Sequence, residues 1–170
     1  MVIDYQERIR RFCALNPHAP QTEILLSRTL FRAASLLQQR INEALAPCDM
    51  NLAQYLAMTM LLVDDGAPSN PSDVSLLLDM TRTQVTRLMD GLEQQGWISR
   101  EMDHDDRRRM KLALTETGRA QLKRAAPLVH EMYRQAWQPF EGDDQHQIAA
   151  HLGQFYEGLQ PPKASRAVAE

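Results

Sequence analysis

The strongest constraint on this chain is a change of period. Thr81-Arg82-Thr83-Gln84 has the form of a capping box, a threonine N-cap with glutamine three residues on. Behind it Val85, Leu88, Met89 and Leu92 recur at helical spacing, up to a stop near Gly96. Past Gly96 the pattern alternates: Trp97 to Met102 and Met110 to Leu114 read as two strands around the polar tract Asp103-His104-Asp105-Asp106-Arg107-Arg108-Arg109. A short helix opened by Pro71-Ser72 and running through Leu78 precedes the box across the link Asp79-Met80. Helix, tight link, capped helix and hairpin in that order describe a winged helix-turn-helix.

The flanks predict the remainder of a mainly α chain with this small β-hairpin wing. Residues 1–20, ending in Asn16-Pro17-His18-Ala19-Pro20, read as a short amphipathic arm and a break. Gln21 to Leu45 carries Ile24, Leu25, Phe31, Leu36, Leu37, Ile41 and Leu45 with no internal Gly or Pro, which predicts one long helix stopped by Pro47. A second, from about Asn51 to Asp64, is apolar nearly all round and so belongs in a core or an interface. After the hairpin, Thr115-Glu116-Thr117-Gly118 caps a long helix with Pro127 inside it, and a last helix covers about Asp143 to Leu159. We divide the chain into an arm and dimerisation helix (1–50), a winged helix-turn-helix (51–124), C-terminal dimerisation helices (125–159) and a disordered tail (160–170). The terminal helices lack an obvious partner within a compact winged helix, and two copies could bury them against each other.

Charge is distributed unevenly. The net charge is −3, yet residues 81–124 hold ten basic residues against seven acidic, while the rest holds nine against fifteen. A basic middle between acidic ends suggests one surface meant for an anion. If Val85, Leu88, Met89 and Leu92 face the core, then Arg82, Thr83, Gln84, Thr86 and Arg87 face out. Those side chains suit base edges: Arg for guanine O6 and N7, Gln for adenine, Thr for a phosphate or a thymine methyl. The free N–H groups at the helix start favour phosphate as well. At the hairpin tip, alternation would point Arg107 and Arg109 one way and Arg108 the other. The neighbouring aspartates could orient a guanidinium toward a narrow minor groove.

Asp79 to Glu93 with Gly96-Trp97-Ile98, and the run Asp105-Asp106-Arg107-Arg108-Arg109 through Leu114-Thr115-Glu116-Thr117-Gly118, resemble the recognition helix and wing of MarR-type regulators. The stretch Glu23 to Arg28 and the Gly96-Trp97-Ile98 turn resemble most the branch of that family that represses multidrug efflux. The resemblance implies a homodimer, a palindromic double-stranded DNA operator, and release when a small, often phenolic, effector binds. It implies that Arg108 enters the minor groove, that Asp90 is its intramolecular partner, and that Asp106 shapes the wing tip. It places Arg82, Gln84, Thr86 and Arg87 at major-groove positions. For the effector, Tyr55, Met58, Thr59 and Leu62 of the second helix supply a plausible cavity wall, with Arg32 and Met132 from flanking helices; each could equally be a packing residue.

Other chemistries find little support. Gly-rich phosphate loops, Gly-x-Ser-x-Gly, His-Glu-x-x-His and Cys-x-x-Cys are all missing from the chain, so an enzyme is not expected. The five histidines are scattered, so neither a metal nor another cofactor is expected. A thiol-based redox sensor of the same fold is the main alternative, but Cys13 lies in the arm and Cys48 in the Pro47-Cys48-Asp49 link. A winged helix used only as a protein-interaction module is disfavoured by exposed arginines. The longest apolar stretch, Tyr55 to Val63, is too short to span a bilayer, and Asp4, Glu7 and Arg8 interrupt any export signal, so no membrane partner and a cytoplasmic location are expected.

Overall fold

The structure, a computed structural model, describes residues 4–63, 74–76, 78–102 and 110–160. In chain order the elements are α1 (Tyr5–Ala14), α2 (Gln21–Leu45), a 3-10 turn (Ala46–Cys48), α3 (Leu52–Val63), α4 (Arg82–Gln94), β1 (Ile98–Met102), β2 (Met110–Leu114), α5 (Glu116–Trp137) and α6 (Asp143–Leu159). Residues 74–76 are helical as well. The chain groups into two compact units, 1–132 and 133–170.

In the first unit several boundaries have a local cause. Asp4 caps α1 by accepting from Gln6 N at 3.2 Å. Pro47 sits in the 3-10 turn that closes α2, and Asp49 takes the left-handed conformation (φ 50°) that reverses the chain. Asn51 and Gln54 then cap α3 reciprocally, Gln54 N to Asn51 Oδ1 at 3.0 Å and Asn51 N to Gln54 Oε1 at 2.9 Å. Asn42 of α2 accepts from Leu52 N at 2.7 Å, pinning the start of α3 to the preceding helix. The core is built from Ile41 and Leu45 of α2, Ala57, Met58 and Leu61 of α3, Val85, Met89 and Leu92 of α4, Ile98, Leu112 and Leu114 of the hairpin, and Leu122, Ala125 and Val129 of α5. The β1–β2 pair is antiparallel with Ile98 opposite Leu114 and Arg100 opposite Leu112. Period two therefore puts Ile98, Arg100, Leu112 and Leu114 on one face. That face meets the helices, β1 packing on α4 and β2 on α3.

The turn from α4 into β1 is closed by a clamp. Gly96 carries a φ of +69°, which suits glycine, and Trp97 N reaches back to Leu92 O at 2.9 Å. Thr115 then grips the same turn twice, N to Trp97 O at 3.1 Å and Oγ1 to Gly96 O at 2.6 Å, while its hydroxyl accepts from Gly118 N at 3.0 Å. Gly118 lies so close to this turn that a Cβ there would fall 2.0 Å from Trp97 O.

In the second unit, α6 starts after Gly142 and buries none of its residues. Trp137 and Phe140 pack their rings at 6.0 Å between centroids, and Gln145 donates to Phe140 O at 2.7 Å. Leu152, Phe155, Tyr156 and Leu159 form an exposed apolar stripe at i, i+3, i+4 and i+7 spacing. No helix among the described residues is long and apolar enough to cross a membrane.

Candidate nucleic-acid interface

Helix α4 begins with both halves of its capping box formed. Gln84 N donates to Thr81 Oγ1 at 3.3 Å, and Gln84 Oε1 accepts from Thr81 N and from Thr81 Oγ1, each at 2.8 Å. Before it, the chain turns through Asp79 (φ 51°), held by Met80 N to Ser75 O at 3.1 Å and Ser75 Oγ to Met80 O at 2.6 Å. Val74 is fully buried beneath this link. The helix thus starts abruptly, and its first-turn N–H groups are available to an anion apart from the one held by Thr81.

Burial separates the two faces of α4 as the periodicity requires. Val85, Met89 and Leu92 are buried and Leu88 half-buried, whereas Arg82, Thr83, Gln84, Thr86 and Arg87 are all exposed. Thr86 turns its hydroxyl inward, donating to Arg82 O at 2.9 Å, so it offers the outside a methyl group and oxygen lone pairs.

One residue that the sequence reading passed over joins this helix to the hairpin. Arg100 of β1 places Nη2 2.6 Å from Asp90 Oδ1, and its Nε lies 3.1 Å from Glu93 Oε2. The second contact is an ion pair outside hydrogen-bond geometry, since Nε has no hydrogen-bond partner among the described residues. Asp90 and Glu93 are one helical turn apart on α4, and Arg100 sits on the inward face of β1, so a single guanidinium ties helix to strand. The resemblance assigns Asp90 to Arg108, which lies outside the described residues; among those described, Asp90 is paired with Arg100. The reason is register: Arg100 shares its face with buried Ile98 and Leu112, and a half-buried guanidinium there must find a carboxylate. The signal was available, as an arginine in phase with inward residues of a strand next to two acids spaced i, i+3. Arg107, Arg108, Arg109 and Asp106 lie outside the described residues.

The residues proposed for an effector wall differ in exposure. Met58 and Tyr55 are buried in the core, Thr59 donates to Tyr55 O at 2.8 Å, Leu62 is exposed, and Met132 is half-buried. Arg32 stands elsewhere, its guanidinium 4.3 Å above the Tyr5 ring in an open groove lined by α1 and α2 residues, among them Arg28, Phe31 and Leu36. Cys13 and Cys48 are both buried, which works against a thiol sensor.

A helix-turn-helix whose second helix is exposed, capped and bolted to a β-hairpin defines the class: a winged helix-turn-helix protein. The MarR family model matches residues 49–109. The chain is 33% identical over 129 residues to the transcriptional repressor MprA of Escherichia coli, an alignment covering 76% of this chain and 73% of that protein. Two solved structures share the fold: the DNA complex of MepR from S. aureus (TM-score 0.73, 23% identity, 78% of this chain and 97% of that one) and CouR from Rhodococcus jostii bound to p-coumaroyl-CoA (TM-score 0.67, 24% identity, 75% and 88%). The chain belongs to the MarR family of DNA-binding transcriptional regulators.

Proposed function

We propose that this protein is a homodimeric repressor that binds a palindromic operator and is released by a small phenolic or amphipathic effector, controlling efflux or stress genes in the cytoplasm. The observation that carries the reading is the joint between α4 and β1, because it makes the exposed Arg82/Arg87 face and the hairpin one body. Arg82, Thr83, Gln84, Thr86 and Arg87 then address the major groove, and the wing arginines Arg107, Arg108 and Arg109 address the adjacent minor groove or its phosphates, with Asp106 shaping the tip. Exposed apolar side chains on the terminal helices, including Phe12, Leu26, Phe31, Leu152 and Phe155, support a second copy as their cover. Two recognition helices about 34–36 Å apart would meet half-sites one turn apart, and an effector favouring another spacing by ~1–3 kcal/mol would release the DNA. MepR in complex with DNA and CouR with a bound acyl-CoA ester support both halves of this reading by likeness of fold.

The test is a gel shift on the DNA upstream of the protein's own coding sequence, repeated over a salt series, with a panel of phenolic compounds, and with Arg87→Ala. Affinity should fall linearly in log–log form with salt, and phenolics should release the complex. Arg87→Ala should cost ~1–3 kcal/mol at particular base pairs if it reads them, or a uniform loss with a shallower salt slope if it touches only phosphate. Salt-independent affinity would remove DNA as the partner.

A further inference from the structure

The capping box constrains what Gln84 can read. An amide oxygen has two lone pairs, and here both are occupied, by Thr81 N and Thr81 Oγ1 at 2.8 Å each. The backbone N–H can only donate, so it fixes which end of the amide is oxygen. What remains is Nε2 with its two N–H donors, carried on an exposed side chain in the first turn of α4, where a recognition helix meets base edges. Reading adenine takes both ends of a glutamine amide, oxygen accepting from N6 and nitrogen donating to N7. In this helix the accepting end is spent.

We infer that Gln84 is a donor-only reader, selecting an acceptor edge — guanine O6 and N7, or thymine O4 — over adenine. Guanine offers two acceptors to the two N–H groups. Adenine sets its own N6 amino group against them, donor facing donor. To read adenine the amide would have to leave Thr81, stripping both bonds that hold the start of α4. This rests on the operator-binding reading above and adds to it the base chemistry at one position.

The substitution that isolates the point is Gln84→Glu. A carboxylate at this position still accepts from Thr81 and so preserves the capping box, but it has no donor and carries an acceptor outward. The experiment selects bound duplexes from a randomised pool with the full-length wild type and the variant, and follows both proteins by circular dichroism through a melt. The wild type should prefer guanine or thymine at one position of each half-site. Gln84→Glu should melt no lower, and should lose that preference by about fivefold, the worth of one hydrogen bond, or turn it toward the amino-bearing cytosine or adenine. A uniform drop in affinity from the added charge does not alter relative preference and is subtracted by comparing bases at that position. An adenine preference that disappears with Gln84→Glu would overturn the inference, as would identical selected sites for the two proteins. If the wild type enriches no sequence at all, the operator reading itself falls, and this inference with it.

Discussion

Replacing Gly118 with alanine tests the clamp that positions both arms of the proposed interface. The added Cβ would lie 2.0 Å from Trp97 O, 2.9 Å from Trp97 C and 3.2 Å from Trp97 Cα. These are backbone atoms, held by Trp97 N to Leu92 O at 2.9 Å and Thr115 N to Trp97 O at 3.1 Å, so no rotamer change relieves the clash. The start of α5 must withdraw by about 1 Å, an overpacking cost of roughly 1–3 kcal/mol. Withdrawal also stretches the two Thr115 bonds to the Gly96–Trp97 turn, at about 0.5–1.5 kcal/mol each. The gain of alanine over glycine within a helix returns about 1 kcal/mol. The net is a loss of about 1–5 kcal/mol, which for a chain of this length lowers Tm by roughly 2–20 °C. The assay is thermal unfolding by circular dichroism at fixed protein concentration, because the proposed dimer would make Tm depend on it. Gly91→Ala in α4 serves as the control: a Cβ there meets nothing within 4 Å, so stability should hold or rise by up to ~1 kcal/mol. A Gly118→Ala protein that melts within a degree of wild type would refute the close-approach argument.

Two further outcomes are expected. Arg100→Met retains the aliphatic stem but frees Asp90 and Glu93, whose side chains are 58% and 46% exposed. Stability should therefore fall by only about 1 kcal/mol, while operator affinity measured by anisotropy falls tenfold or more as the hairpin loosens and two carboxylates turn to the phosphates. Equal losses in stability and affinity would assign Arg100 to folding alone. On α1, the hydrogen bond from Arg11 to Glu7, aided by the charges of Arg11 and Arg10, holds the Glu7 carboxyl below its ordinary value. A depressed folded-state pKa stabilises above the unfolded value and stops doing so as pH falls through the folded one. Amide protection in α1 should accordingly drop as pH falls below the ordinary glutamate range, and Glu7→Gln should flatten that step; an unchanged step would place its origin elsewhere.

Much of the architecture was legible because it is periodic. The helical recurrence of Ile24 through Leu45 and the absence of internal Gly or Pro predict a helix with the bounds Gln21–Leu45, and the structure has those bounds. The Thr81–Gln84 box and the Gly96 stop bracket α4 to within two residues, because caps are local chemistry written in adjacent positions. The outward set on α4 followed from the inward one, since a helix with four residues committed to the core has little choice about the rest. The effector wall was less accessible to this reasoning. Tyr55 and Met58 are buried in the first unit's core, a position that suits packing and a ligand wall alike, so periodicity does not separate the two roles.

The order of elements, the caps and the segregation of Arg82 and Arg87 from Val85 and Met89 were settled by residues within a few positions of each other. Such features depend on short-range sterics and hydrogen bonds that the neighbouring letters already contain. Arg100 holding Asp90 and the space denied to Gly118 belong to the tertiary level. Each depends on where a second element arrives or on which of several partners wins a side chain. That competition is decided by distance and burial in the folded chain, quantities that no local pattern encodes.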